Sequence, residues 1–492
     1  MRLRLFLVPM LLLAACSDPP QGGELKVAVI GDGTLANHLA AEATSATLVQ
    51  RGANGEVATG LATSWRFLDD GDALILRLAP LRWPGTEGKP GAELVANDIV
   101  GSLRRPRSNT ARAVLAEAGL AGRNTARAPI ARVVELLPRP PTPFLLDWLA
   151  EPALALHNRR GMAWPGPYTE SRANGVITLD RRRADALPDA RAARIRIEQP
   201  DVASAVRRFT AGDVHVVLGQ GLAGLGTVRA GATGRALIVE PARGVIGLAI
   251  NPNLPARGKP GKAGLLADSQ LRRALLLAAD PDALANRFAL SALQAQNRLW
   301  DDLPLPADGR ALPREERMAQ AAALLAEAGY GPEVPLSLIL LIPQTAEADL
   351  IAREVAASWA PLGIALKIVR SAETDPNDTP RHDLALQQIV ARVPDAVAHL
   401  ASWRCGRVQP CSADADRLIN DARRAGTDLA TRAATVMAAE TALMADPAFI
   451  PLLRPVRWAL VARGVSGFET NAFARHPLGR MAPPGAGSAN PG

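Results

Sequence analysis

Few residues of this 492-residue chain have the types and spacing for chemistry, and the spacing limits what they can do. Three cysteines occur, of which Cys405 and Cys411 are separated by five residues that include Pro410. In an oxidising compartment such a pair closes a disulfide loop. A metal centre needs further ligands close by, and the six histidines are scattered, with none beside the pair. The usual hydrolytic phrases, Gly-x-Ser-x-Gly and His-Glu-x-x-His, are both absent. Gly219, Gly221 and Gly224 spell a dinucleotide-type Gly-x-Gly-x-x-Gly after an expected strand, with Glu240 sixteen residues further on. A pyrophosphate turn needs a helix of about ten residues or more whose N-terminus faces the ligand. Gly231 and Gly234 interrupt the candidate helix, so the glycines read as a flexible loop. No metal, nucleotide or other cofactor is expected.

The chain starts with Arg2 and Arg4, then residues 5–13 that are apolar or Pro, then Leu13-Ala14-Ala15-Cys16. A charged leader, an apolar core of about ten residues and small residues before the cut describe a secretory signal, too short to span a bilayer. With Cys at the cut, the phrase resembles a lipoprotein lipobox. That resemblance implies removal of residues 1–15, a lipid on Cys16 that ties the chain to a bilayer, and a flexible tether over 16–23. The alternative is an ordinary signal with an incidental Cys. Either way the expected location is the periplasm or cell envelope. Ser17 is not the Asp that favours inner-membrane retention in Gram-negative sorting, which leaves the membrane open.

Composition places the chain among globular proteins with more than one core: 48% hydrophobic and 21% charged over this length allow two or three domains. The formal charge of +8 becomes +6 when Arg2 and Arg4 leave with the signal (8 − 2). Clusters such as Arg181, Arg182 and Arg183, or Arg207 and Arg208, lack interleaved aromatics and sit in an exported chain, so no nucleic-acid partner is expected. A modest positive balance favours an anionic ligand or an anionic membrane surface.

Residues 61–105 carry the most informative pattern. Leu74, Leu76 and Leu78 alternate with Ile75 and Arg77 as in a half-buried strand, and Asp70-Gly71 before them is a hairpin-turn pair. Leu61, Ala62, Ser64 and Trp65, then Asp70 and Gly71, Leu76 to Leu78, Arg82 and Trp83 with Gly85, and Ala96, Asp98 and Arg105 follow in a fixed order. This order resembles extracytoplasmic solute-binding proteins of family 5, which serve peptide, nickel and related ABC importers. Further phrases resemble the same family. Residues 142–156 resemble its helix whose apolar residues close the second lobe, and Gly166-Pro167-Tyr168 resembles the turn back to the first. Residues 268–284 resemble its Asp-x-x-Val-Arg-x-Ala-Leu helix through Arg272, Ala274, Leu275, Ala279, Asp280 and Leu284. Residues 321–331, 351–369, 412–424, Phe449-Ile450-Pro451-Leu452 and Val465-Ser466-Gly467-Phe468 complete the series. The resemblance runs over about residues 24–480 and departs at His215, where the family has Asp.

It implies an α/β, two-lobed periplasmic-binding-protein fold of type II with an extra domain on the first lobe. The expected division is lobe I over 24–51, 164–245 and 456–482, the extra domain over 52–163, lobe II over 246–455, and a disordered tail over 483–492. Partners implied are a small solute, peptide-like or acidic, and an ABC permease of the inner membrane. In peptide-binding members an Asp after a lobe II strand pairs with the ligand amine. Here Arg392 stands in its place and Val393 replaces the following Tyr, ahead of Asp395. An Arg there suits a carboxylate or phosphate; alternatively it pairs with Asp395 or points to solvent. Gly33 and Thr34 of the first loop, Gln387, Asp395, Trp403 and Arg404 are the other expected cleft residues, with Trp403 open to a core role. Aromatics make up only 4% of the chain, with two tyrosines, which is sparse for a cleft that reads peptide side chains by stacking. Two other functions remain for such a chain: a degenerate member acting as an envelope interaction protein, or an exported hydrolase.

Overall fold

The computed structural model describes residues 22–31, 33–85, 91–158, 160–161, 163–182, 191–231, 234–253, 264–300, 312–371, 381–471 and 475–486. The signal segment, Cys16 and most of the tether lie outside the described residues. Of the expected tail, Pro483 to Ala486 form a turn closed by the Ala486 amide on the Pro483 carbonyl, and 487–492 lie outside the described residues.

Three units carry the chain. Lobe I is built on a seven-stranded sheet in the order β12 (Leu237–Pro241), β18 (Val456–Val461), β11 (Val216–Gly219), β1 (Glu24–Ile30), β10 (Arg194–Glu198), β9 (Val176–Arg181) and β8 (Tyr168–Ala173). Helices α1 (Thr34–Thr44), α5 (Val202–Thr210) and α6 (Leu225–Ala230) belong to it. Lobe II has a five-stranded sheet in the order β15 (Ile364–Ser371), β14 (Leu336–Pro343), β16 (Leu384–Val390), β13 (Gly244–Ile250) and β17 (Phe449–Leu453). Its helices are α7 (Ser269–Ala278), α8 (Pro281–Phe288), α9 (Arg314–Glu327), α10 (Ala346–Trp359), α11 (Ala396–Leu400), α12 (Ala413–Arg424) and α13 (Leu429–Ala445). The extra domain holds the hairpin β2 (Val49–Arg51) with β3 (Val57–Thr59) and a four-stranded sheet, β4 (Ala62–Leu68), β5 (Ala73–Leu78), β7 (Val133–Leu136) and β6 (Ala126–Ile130). Helices α2 (Ala96–Leu103), α3 (Asn109–Glu117) and α4 (Leu145–Leu149) cover that sheet.

The alternation read in the sequence is the pleat of β5. Leu74, Leu76 and Leu78 are buried while Arg77 is exposed, because successive strand side chains face opposite sides. A tight turn at Asp69–Gly71 joins β4 to β5, with Asp69 and Gly71 at positive φ. The spaced Trp83 and Asp98 meet: the indole Nε1 donates to Asp98 Oδ2 at 3.0 Å, and the same oxygen takes the Val95 amide at 3.2 Å. Asp98 thereby closes the start of α2 and pins the preceding loop to it.

Strand pairings bear on two of the expected boundaries. The cut at 51/52 falls inside the β2–β3 hairpin, whose strands pair from Val49↔Thr59 to Arg51↔Val57. Gly244 and Val245 belong to β13 of lobe II, because Gly244 pairs with Val390 of β16. Residues 142–156, expected to close the second lobe, pack through Leu145, Trp148, Leu149 and Leu156 into the extra-domain core, which also takes in Val393 of lobe II. His215 has a structural place: its ring Nδ1 accepts the Lys26 amide at 3.1 Å beside the β1–β11 pair.

The lobes are joined at 242–243, between β12 and β13, and at 454–455, between β17 and β18. The crossings lie side by side, since the Ala242 amide donates to the Pro455 carbonyl at 2.7 Å. Paired short connections of this kind are places where two lobes can hinge.

Candidate functional site

A cavity of about 550 Å³ opens between the lobes and under the edge of the extra domain. Lobe I contributes Thr34, His38 and Glu42 from α1, Gly219 at the end of β11 and Gln220 after it, and Arg457 and Trp458 from β18. Lobe II supplies Val390, Ala391 and Arg392 at the end of β16, and the extra domain adds Thr110 and Glu151. Its size lies within the usual range for small-molecule sites, and its place at a lobe interface is a common one for them.

Thr34 and Arg392, expected together from the sequence, both line this cavity. Arg392 is exposed at its rim and makes no ion pair or hydrogen bond among the described residues. Asp395 is not its partner. It is buried, caps α11 through the Val397 amide at 3.0 Å, and pairs with buried Arg432 at 2.7 Å. That acid therefore holds α11 to α13 and stays away from the cavity. Gly33 stands just outside, at the N-cap of α1 with φ 82°, where a Cβ would come within 2.7 Å of the Gln199 side-chain oxygen.

Gln387 and Trp403 line a different cavity, of about 570 Å³, on lobe II beside the Cys405–Cys411 loop. The two cysteines form the expected disulfide, with Cα atoms 5.0 Å apart. Strand phase explains the separation. Ala385, Gln387 and Ile389 face this second cavity, while neighbouring Gln388 faces lobe I, against Gly221. Trp403 is 3% exposed and packs edge-on to His399 and Phe449, so it is a core residue that borders a cavity. Arg404 lines neither cavity and lies 3.7 Å from Asp416.

The electrostatics come from residues that sequence reading passed over. Arg475 reaches Glu151 at 2.8 Å on the cavity wall. Burial holds the Glu42 carboxyl above its ordinary range, with Arg475 opposing. His38 is pushed down to about 4, first by burial and then by Arg475, with Arg392 adding to the effect. His38 is therefore neutral at pH 7, and the groups facing the cavity are Arg392, Arg457 and Arg475 against the carboxyls of Glu151 and Glu42. The balance is cationic. A signal for Arg457 was present in the sequence: it is a lone charge in the otherwise apolar run Val456–Val461.

The lobes already touch across the cleft. The Gly219, Gly221 and Gly224 turn is not the flexible loop expected. Gly219 lies under Trp458, whose Nε1 donates to the Ala223 carbonyl at 3.1 Å, and Gly224 caps α6 at φ 78°. Glu347 of lobe II reaches this turn, its Oε1 accepting the Gly226 amide at 3.0 Å and its Oε2 the Gly224 amide at 3.4 Å. A protein carboxylate thus occupies the helix start, and α6 spans only six residues.

The profile described as bacterial extracellular solute-binding proteins, family 5 middle, matches residues 56–409. The chain belongs to this family. Among solved structures it resembles the Escherichia coli murein tripeptide binding protein MppA, at 20% identity, 94% coverage of this chain, 98% of the other and a TM-score of 0.76. Haemophilus influenzae OppA in complex with the peptide RPPGFSPFR gives 18% identity, 93% and 99% coverage and a TM-score of 0.74. The unliganded open form of MppA, at 20% identity and 94% and 97% coverage, scores lower at 0.63. A comparison with curated proteins gives no match. The two-lobed α/β fold is that of the family, whose members are solute-binding proteins of ABC importers, and no helix among the described residues is long and apolar enough to cross a membrane.

Proposed function

We propose that this chain is the lipid-anchored solute-binding component of an ABC importer, that it takes an acidic or peptide-like small solute between its lobes, and that it presents the closed form to a permease. The carrying observation is Arg392, unpaired at the cavity rim in a cationic lining. A carboxylate or phosphate fits its planar fork of donors. The hinge at 242–243 and 454–455 supports closure around such a solute. Cys16 carries the anchor in this reading, on the strength of the Leu13-Ala14-Ala15-Cys16 phrase.

The test is a thermal-shift screen of the chain from Ser17 onward against peptides, amino acids, dicarboxylates, sugar phosphates and metal chelates. Binding to the folded state raises the melting temperature by mass action. For a solute found this way, Arg392→Asp is expected to weaken binding more than tenfold by calorimetry. The melting temperature should barely change, since Arg392 is exposed and unpaired. Unchanged affinity removes Arg392 from the site. A panel that produces no shift, with the protein folded and free of co-purified ligand, favours the second reading, an envelope interaction protein. The loss of the amine-pairing Asp at position 392 and the engagement of Asp395 by Arg432 are what speak for it.

A further inference from the structure

The cavity holds a second cation that no carboxylate among the described residues neutralises. Arg457 lines the cavity from lobe I, and its Nη1 is sealed from solvent without a hydrogen-bond partner among those residues. None of the acids around it pairs with it among the described residues. Glu240, opposite it on β12, accepts His476 Nε2 at 2.7 Å and the Asn471 amide at 2.7 Å. Glu151 is held by Arg475 at 2.8 Å, and Glu42 makes no ion pair with Arg457 among the described residues. Burial first, and Arg475 second, push the Arg457 guanidinium down to about 10, which still leaves it charged at pH 7. Gln220 presents a second open group on the same wall, a buried side-chain oxygen without a partner among the described residues, which a donor N–H of the solute would complete and a carboxylate would not. Buried polar groups left open in this way are costly to a fold, and proteins keep them where a ligand completes them.

We infer that Arg457 is the anion-binding group of lobe I and that the solute is a dianion, one carboxylate on Arg457 and the other on Arg392 of lobe II. This deepens the proposed function and rests on it. With one charge held by each lobe, a dianion gains its full set of contacts only when the lobes are together. Closure is then coupled to the presence of both carboxylates.

The test uses glutarate, N-acetyl-L-glutamate and N-acetyl-Ala-Glu, each beside its monomethyl ester, titrated by calorimetry into the chain from Ser17 onward. Wild-type protein is expected to bind at least one dianion tenfold or more tighter than its ester. Arg457→Gln should abolish that preference and weaken dianion binding at least tenfold, while Arg457→Lys restores part of it. A readout without ligand accompanies it: Arg457→Met should melt at the same or a higher temperature than wild type, because an unpaired buried charge has been removed. If wild-type protein binds none of the probes, the acidic-solute reading fails and the inference with it. If a dianion binds and Arg457→Gln binds it equally well, the inference alone is overturned. A lower melting temperature in Arg457→Met also overturns it, by assigning Arg457 a structural role.

Discussion

Glu347→Ala tests whether the lobes are held together by a specific contact. Glu347 is 9% exposed, and its carboxylate bridges from α10 of lobe II to the Gly224 and Gly226 amides that start α6 of lobe I. A hydrogen bond to a charged acceptor contributes about 1.5–3 kcal/mol net. The Gly226 contact at 3.0 Å has ordinary geometry and the Gly224 contact at 3.4 Å is weak. The pair therefore favours the closed arrangement by about 2 kcal/mol, because in an open form water solvates both partners. That corresponds to about a 30-fold change in the closed-to-open ratio. Small-angle scattering of the solute-free variant should show a larger radius of gyration than wild type. Calorimetry should show affinity weakened by up to about 30-fold, the limit reached when the variant is mostly open. Glu347→Gln, which keeps an acceptor oxygen and loses the charge, should fall between. Unchanged scattering together with unchanged affinity would refute the latch and leave the apolar contact between the lobes as the cause of closure.

Two further outcomes are expected. His399 is buried, donates through Nε2 to the Leu299 carbonyl at 3.0 Å, and is pushed down to about 4 by burial. The unfolded chain takes up this proton below about pH 6.5 while the folded chain does so only near 4, so the group's stability is present above 6.5 and lost as pH falls. The loss approaches about 3 kcal/mol at pH 4. His38, shifted the same way, adds to it. Melting temperature followed from pH 7.5 to 4.5 should fall less steeply in His399→Gln than in wild type, and equal slopes would contradict the assignment. The Cys405–Cys411 disulfide spans a sequence separation of six. Replacing both cysteines by Ser should lower stability by about 2 kcal/mol in denaturant melts. Solute affinity should stay within threefold, because the loop borders the second cavity and lies outside the one that contains Arg392. A large loss of affinity would move the solute site to that loop.

Sequence reading succeeded where a property is local to a few residues. The β5 alternation, the Asp69–Gly71 turn and the disulfide from Cys405 and Cys411 each follow from side-chain type and short spacing. The family was legible too, because phrases such as Trp83 with Asp98 make contacts that the fold itself needs. The order of these phrases was enough to expect two lobes and an inserted domain. Of the residues expected at the cleft, Thr34 and Arg392 line the cavity between the lobes, each shortly after the end of a strand.

Tertiary structure decided the rest, and in each case the partner is distant along the chain. Gln387 and Gln388 are chemically identical neighbours, and only the registration of β16 against β13 and β14 determines which one faces lobe I. Asp395 looked available to Arg392 until Arg432, 37 residues away, took it. The glycine turn read as flexible because nothing near it restrains it, yet Glu347 and Trp458 do so from 121 and more residues away. Charge in the cleft was hidden for the same reason: Arg457, Arg475, Glu151 and Glu42 come from separate segments, and their burial, pairing and protonation exist only once those segments enclose a common volume. Sequence by itself determined the local geometry and the lineage of this chain. Which charges remain open for a solute depends on long-range packing, since a charge counts as unpaired only after every other group that could reach it has been placed.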